Sequence, residues 1–213
     1  MMSREESAGV WYHKGQTCCT TGKFDRAIVC YNRALEISPD DPVVWKRKGF
    51  VLLKIGRYNE AVACYDRALE LDPEDATAWQ RKGYALAHLG AHADAIACCD
   101  RAIALSPERI IAWQSRGWLL GLMCRYGEAT DCYEKVLAID PGRDSAAWHR
   151  ERMCERRDLE ALASEVREAE QSIEVPACIR EVIAERDYRN IELARAVVRE
   201  LARQAGRPVV RRP

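Results

Sequence analysis

Apolar residues recur along the chain in paired helical blocks, and the pairs repeat every 34 residues. In the stretch WKRKGFVLLKIGRYNEAVACYDRALELDP, apolar positions fall three and four apart in two runs separated by IGRYN. The period is carried by four residue types. Trp11, Trp45, Trp79 and Trp113 mark it first, followed by Gly15, Gly49, Gly83 and Gly117. Ala27, Ala61, Ala95 and Ala129, then Pro39, Pro73, Pro107 and Pro141, keep the same interval without a slip. The pattern predicts four helical hairpins.

Each unit has a mechanical reading. Gly22, Gly56 and Gly90 stand where a first helix should stop, because glycine enters the left-handed conformation of a helix terminus without steric cost. The fourth unit has Cys124 there, so its turn should differ. In the second helix the alanine is followed four residues on by Tyr31, Tyr65 or Tyr133 (Cys99 in the third unit), then by Ala34, Ala68, Ala102 or Val136. Spacings of four and three share a helix face, so small residues beside a ring let two helices approach closely. The proline then ends the second helix by withholding a donor and restricting the residue before it.

These W-x3-G, G, A-x3-Y-x2-A and P registers resemble the tetratricopeptide repeat, over about residues 8–142. The resemblance implies an all-α fold, a right-handed α-solenoid of antiparallel helix pairs whose first helices line a concave peptide-binding groove. One departure is consistent: Lys14, Lys48, Lys82 and Arg116 occupy the place of the family's usual leucine before the glycine. Their stems are expected to cover the apolar seam while the charges reach water.

The expected organisation is four units (8–41, 42–75, 76–109 and 110–142) within residues 1–142, a capping helix at 143–157, and a helical extension with a basic tail at 158–213. After Pro141 the spacing is read as slipping by one, since Trp148 stands beside the position of Ala147. A solenoid needs a terminal element with a polar outer face, which motivates the cap. Beyond it Leu159, Leu162, Val166, Ala169 and Ile173 share a face, Pro176 opens a helix with Ile179, Val182 and Ile183 inward, and RNIELARAVVRELARQAG gives a last helix closed by Gly206.

Composition narrows the function. Lys plus Arg is 33 and Asp plus Glu is 33, so no global field draws the chain to nucleic acid or an anionic membrane. The charged start MMSREESAGV lacks the apolar stretch of an export signal, and the chain is read as soluble and cytoplasmic. Cys30, Cys64, Cys98 and Cys132 recur at 34 residues and read as small buried hydrophobes rather than a redox or metal ladder. There is no C-x2-C, and Cys18–Cys19 and Cys98–Cys99 are adjacent pairs, which chelate poorly. His88 and His92 have a metal-pair spacing but flank Gly90, so a turn is expected between them. His13 and His149 read as surface residues. No phosphate loop or nucleophile elbow occurs, so neither enzyme activity nor a cofactor or metal is expected.

Counting each tryptophan as the fourth residue of its unit, the resemblance puts residues two, five, nine, twelve and thirteen on the concave side; these offsets share one helical face. The ninth positions are Gln16, Phe50, Tyr84 and Trp118, three successive aromatics. Beside them lie Lys46, Arg47 and Lys54, then Gln80, Arg81 and His88, with Gln114 in the fourth unit. Aromatic anchors and carboxylate-gripping arginines together suit a protein or peptide with an acidic segment. Of the Lys/Asn/Asn/Lys/Arg set with which some family members clamp chaperone C-termini, only Arg81 matches; Tyr12, Gln16, Arg47 and Thr77 hold the other places. Two other readings are homo-oligomerisation through the heptad-like Leu159–Ile173 face and, less favoured because acids match the arginines, nucleic-acid binding by the C-terminal end.

Overall fold

A computed structural model describes residues 7–169, 175–186 and 190–204. Among these the chain is entirely helical between its turns. Four hairpins come first: α1 (Ala8–Thr20) with α2 (Phe24–Ile37), α3 (Pro42–Lys54) with α4 (Tyr58–Leu71), α5 (Ala76–His88) with α6 (His92–Leu105), and α7 (Ile110–Leu122) with α8 (Tyr126–Ile139). Then follow α9 (Asp144–Ala169), α10 (Ala177–Ala184) and α11 (Ile191–Gln204). Each helix packs on the next through α9, and α3, α5 and α7 also touch across the seams between hairpins. The result is an α-solenoid with the first helices on its inner side.

The 34-residue registers each have a contact that explains them. A Cβ built on Gly49 would lie 3.0 Å from the Tyr65 ring and 3.3 Å from Cys64 Cβ, so the helices of a hairpin meet backbone against side chain. Three of the register tryptophans tie their helices to the preceding turn: the indole N–H of Trp45, Trp79 and Trp113 donates to the carbonyl of Pro39, Pro73 and Pro107 at 2.7, 2.9 and 2.8 Å. Gly22, Gly56 and Gly90 have φ of 72°, 76° and 79°, as their places in the sequence require. Cys124 takes the same turn at φ 58°, so it repeats the geometry of the others despite carrying a side chain. A Cβ there costs roughly 1–2 kcal/mol.

Lys14, Lys48 and Lys82 fold back over the tryptophan three residues earlier, with ammonium-to-ring distances of 4.7, 5.2 and 5.3 Å. Lys82 also reaches Asp66 at 2.7 Å, and Arg116 reaches Asp100 at 2.6 Å. The stems thus cover the seam as expected, but their charges are held by rings and carboxylates. Cys30, Cys64, Cys98 and Cys132 are all buried. Burial pushes the thiols of Cys64 and Cys98 up to about 11, which leaves them protonated packing groups.

Two C-terminal expectations change. First, α9 is a single helix from 144 to 169 and runs unbroken through 157, where the cap was expected to end. No glycine or proline interrupts that stretch. Second, the register does not slip. Ala146 and Met153 are buried in the same phase as Val44 and Val51, Ala78 and Ala85, and Ala112 and Leu119. The first half of α9 is therefore a fifth inner helix, and Trp148 is not a displaced repeat tryptophan. His149 is half-buried, stacked on Tyr133 at 5.3 Å.

The last helices pack on the second half of α9. Leu162, Val166, Val175, Ile179, Ile191, Ala194 and Val198 form their core, with Leu159, Val182 and Ile183 against it. Leu159, Leu162 and Val166 of the heptad-like face are thus used within the chain. Ile173, Gly206 and the basic tail lie outside the described residues.

Candidate peptide-binding groove

The inner face is built from α3, α5, α7 and the first half of α9. Its side chains form two sets: a polar seam where successive units meet and an open strip further along the helices.

The seam is a register of residues 29 apart. Asp75 caps α5, its Oδ1 accepting from the Thr77 and Ala78 amides at 2.7 and 3.0 Å. The Lys46 ammonium of the preceding unit pairs with the other oxygen. Burial works to raise the Asp75 carboxyl, but Lys46 and the two amides outweigh it and hold it below the ordinary carboxylate range. One unit on, Arg109 stands in the place of Asp75. Its Nη2 donates to Thr77 Oγ1 at 2.9 Å and to Gln80 Oε1 at 3.2 Å. After the fourth unit Arg143 Nη1 donates to Gln114 Oε1 at 3.2 Å. Lys46, Gln80 and Gln114 therefore hold neighbouring units together, and the charge of Lys46 is already matched.

Phe50, Tyr84 and Trp118 differ from one another. Phe50 is half-buried, with the Arg81 guanidinium 4.4 Å and the Lys54 ammonium 5.5 Å from its ring centre. Tyr84 and Trp118 are open, 49% and 46% exposed. His88 lies flat on Tyr58 of α4 at 4.5 Å and meets the edge of Tyr84 at the same distance. It ends α5 while His92 opens α6, so the two histidines flank the Gly90 turn as their spacing suggested. Arg47 is exposed, and Arg81 lies close enough to Tyr65 to oppose the rise that burial imposes on that phenol. Among the described residues Arg47, Lys54, Arg81 and Arg109 have no carboxylate within ion-pair distance.

Sequence reasoning passed over four exposed apolar residues on this face: Val43, Ile111, Leu122 and Trp148. The first three occupy the second and thirteenth positions of their units, and Trp148 follows Gln114 by one period. The signal was present in the same register that found Tyr84. Chemically the face offers apolar area and fixed cations. Among the described residues no three metal-ligating side chains converge, and no helix is long and apolar enough to cross a membrane.

Comparison with known proteins agrees with this architecture. Family models described as tetratricopeptide repeat match residues 8–41, 30–63, 47–110 and 110–143. A crystal structure of MamA protein aligns over 97% of this chain and 99% of its own, with a TM-score of 0.70 and 21% identity. YrrB, described as a TPR protein with an unusual peptide-binding site, aligns over 70% of this chain and 77% of its own, at TM-score 0.62 and 22% identity. The first TPR of Spaghetti (RPAP3), solved bound to the HSP90 peptide SRMEEVD, covers 57% of this chain and 93% of its own, at TM-score 0.52 and 29% identity. No curated protein matched by sequence. With its four hairpins, their shared registers and family models spanning residues 8–143, this chain belongs to the tetratricopeptide-repeat family.

Proposed function

We propose that the chain is a non-enzymatic scaffold whose inner face binds a segment of another protein. The observation that carries this reading is the open pair Tyr84 and Trp118 set among cations that have no carboxylate partner among the described residues. Large rings in a fixed groove bury much area at low entropic cost, and unpaired arginines select acidic chains. A structural relative bound to SRMEEVD, an acidic peptide, supports the same chemistry. Tyr84 and Trp118 supply the apolar contact, while Arg47, Lys54 and Arg81 select charge. Lys46, Gln80 and Gln114 act indirectly, by fixing the spacing of the units that present those residues.

The test is a peptide selected from a random library on the whole protein, titrated calorimetrically. Tyr84→Ala and Arg81→Ala should each weaken binding about tenfold, as removal of an interface anchor does. Unchanged affinity in both would remove the groove from the account. Self-assembly through the C-terminal helices would have to use a surface other than Leu162 and Val166, which are buried against α10 and α11. Light scattering on the whole chain reports it directly.

A further inference from the structure

The apolar surface of the inner face is unevenly distributed. In the first unit Gln16 donates to the Tyr12 hydroxyl at 2.8 Å, so both are engaged with each other. In the second, Phe50 is covered by two cations and Lys46 is neutralised by Asp75. Of the apolar side chains of α3 only Val43, in its first turn, is exposed, whereas from the third unit onward five large ones are: Tyr84, Ile111, Trp118, Leu122 and Trp148. Trp148 is the most exposed of these at 57%, and it lies on α9, outside the four repeats. Its ring is held from two sides, by the edge of His149 at 4.8 Å and the Arg152 guanidinium at 5.7 Å. An exposed ring that is pre-positioned loses little entropy on contact.

The charge follows the same division. The register that supplies aspartate at 41 and 75 supplies arginine at 109 and 143. Asp75 cancels a groove lysine, whereas among the described residues Arg109 is anchored by the neutral Thr77 and Gln80 and by no carboxylate. Its guanidinium is held in a fixed direction beside the Tyr84 helix.

We infer that the binding site does not end with the fourth repeat but continues onto α9, and that its occupant is an extended acidic polypeptide segment. Bulky apolar side chains of that segment rest on Tyr84, Trp118 and Trp148, and one of its Asp or Glu carboxylates meets Arg109. This rests on the groove reading above and adds to it the extent of the site and the pattern of the ligand. Packed helices lie about 9 Å apart. An extended chain advances roughly 3.1–3.3 Å per residue, so Tyr84 and Trp118, at one register of successive inner helices, should meet apolar side chains about three residues apart, while Trp148, four residues earlier in its helix, sits about one turn off that line. A polyproline-type segment also returns to the same face every three residues.

The experiment displays random twelve-residue peptides on phage, selects on the full chain, and measures a synthetic winner by fluorescence anisotropy. Selected peptides should carry net negative charge and bulky apolar residues about three apart. Trp148→Ala should weaken the winner about tenfold, with Trp148→Phe largely restoring it. Arg109→Gln should weaken it similarly, and less so for a version of the peptide with Asn and Gln in place of its acids. Melting curves of the variants check that the fold is kept. If Tyr84→Ala weakens binding but Trp148→Ala and Arg109→Gln do not, the groove stands and its extension is wrong. If none of the three matters, the groove reading itself fails. Basic winners, or no winners, would overturn the proposal.

Discussion

Asp75→Ala removes two jobs at once, and their sizes follow from the geometry. Its carboxylate caps α5 through the Thr77 and Ala78 amides and pairs with Lys46 of the preceding unit across the seam. Loss of an aspartate cap costs about 1 kcal/mol. The ion pair is partly buried, with side chains 12% and 27% exposed, so it should contribute about another 1 kcal/mol, the upper end of the range of exposed pairs. The sum of about 2 kcal/mol lowers the melting temperature by roughly 4–8 °C for a chain of this size. A double-mutant cycle with Lys46→Met isolates the pair and should give a coupling of about 1 kcal/mol. The acid limb adds a sign. The Asp75 carboxyl is held low in the folded chain, so its contribution is present above the unfolded carboxylate range and fades as pH falls through the folded value. Asp75→Asn should therefore make stability flatter with pH on the acid side. Freeing Lys46 should also tighten binding of an acidic peptide. Additive losses in the cycle, an unchanged acid limb and unaltered peptide affinity would refute this account of the seam.

Other consequences concern the turns and thiols. Cys124→Gly should stabilise the chain by about 0.5–1 kcal/mol, because Cys124 holds φ 58° where the other units have glycine; Gly56→Ala should destabilise it by at least as much. A colourless-to-coloured thiol titration should label the exposed Cys124 and Cys178 at once but reach Cys64, Cys98, Cys99 and Cys132 only on unfolding. Rapid modification of those four would contradict their burial. Trp79→Phe should cost at least about 1 kcal/mol in urea denaturation, since it deletes the 2.9 Å bond to the Pro73 carbonyl along with a third of the ring system.

What the sequence revealed was whatever repeats within one hairpin. The glycine turns, the glycine–tyrosine approach and the buried cysteine ladder depend on residues whose spacing is set inside a unit, so four copies made them plain. The seam was hidden because its partners lie 29 residues apart and change identity from unit to unit. Lys46 looked like a free groove cation until Asp75 appeared opposite it. Phe50 looked like an anchor equal to Tyr84, but Arg81 from the next unit covers it, a contact only stacking creates. Trp148 misled for a different reason. A tryptophan one place from the expected register invites the reading of a slip, whereas the small and apolar residues Ala146 and Met153 carry the true phase of the helix. The break expected near 157 came from a change in apolar pattern. In the fold that change marks where α9 leaves the solenoid to meet α10 and α11 within one continuous helix.

The central claim is that a polypeptide lies on the inner face of the stacked hairpins, and photo-crosslinking of a selected peptide tests it most directly. Benzoylphenylalanine is placed in turn at 84, on the inner face of α5, and at 63, an exposed position on α4. The account expects efficient adducts from 84, suppressed by excess unlabelled peptide, and background labelling from 63. Equal labelling from both positions, or adducts only from 63, would contradict it.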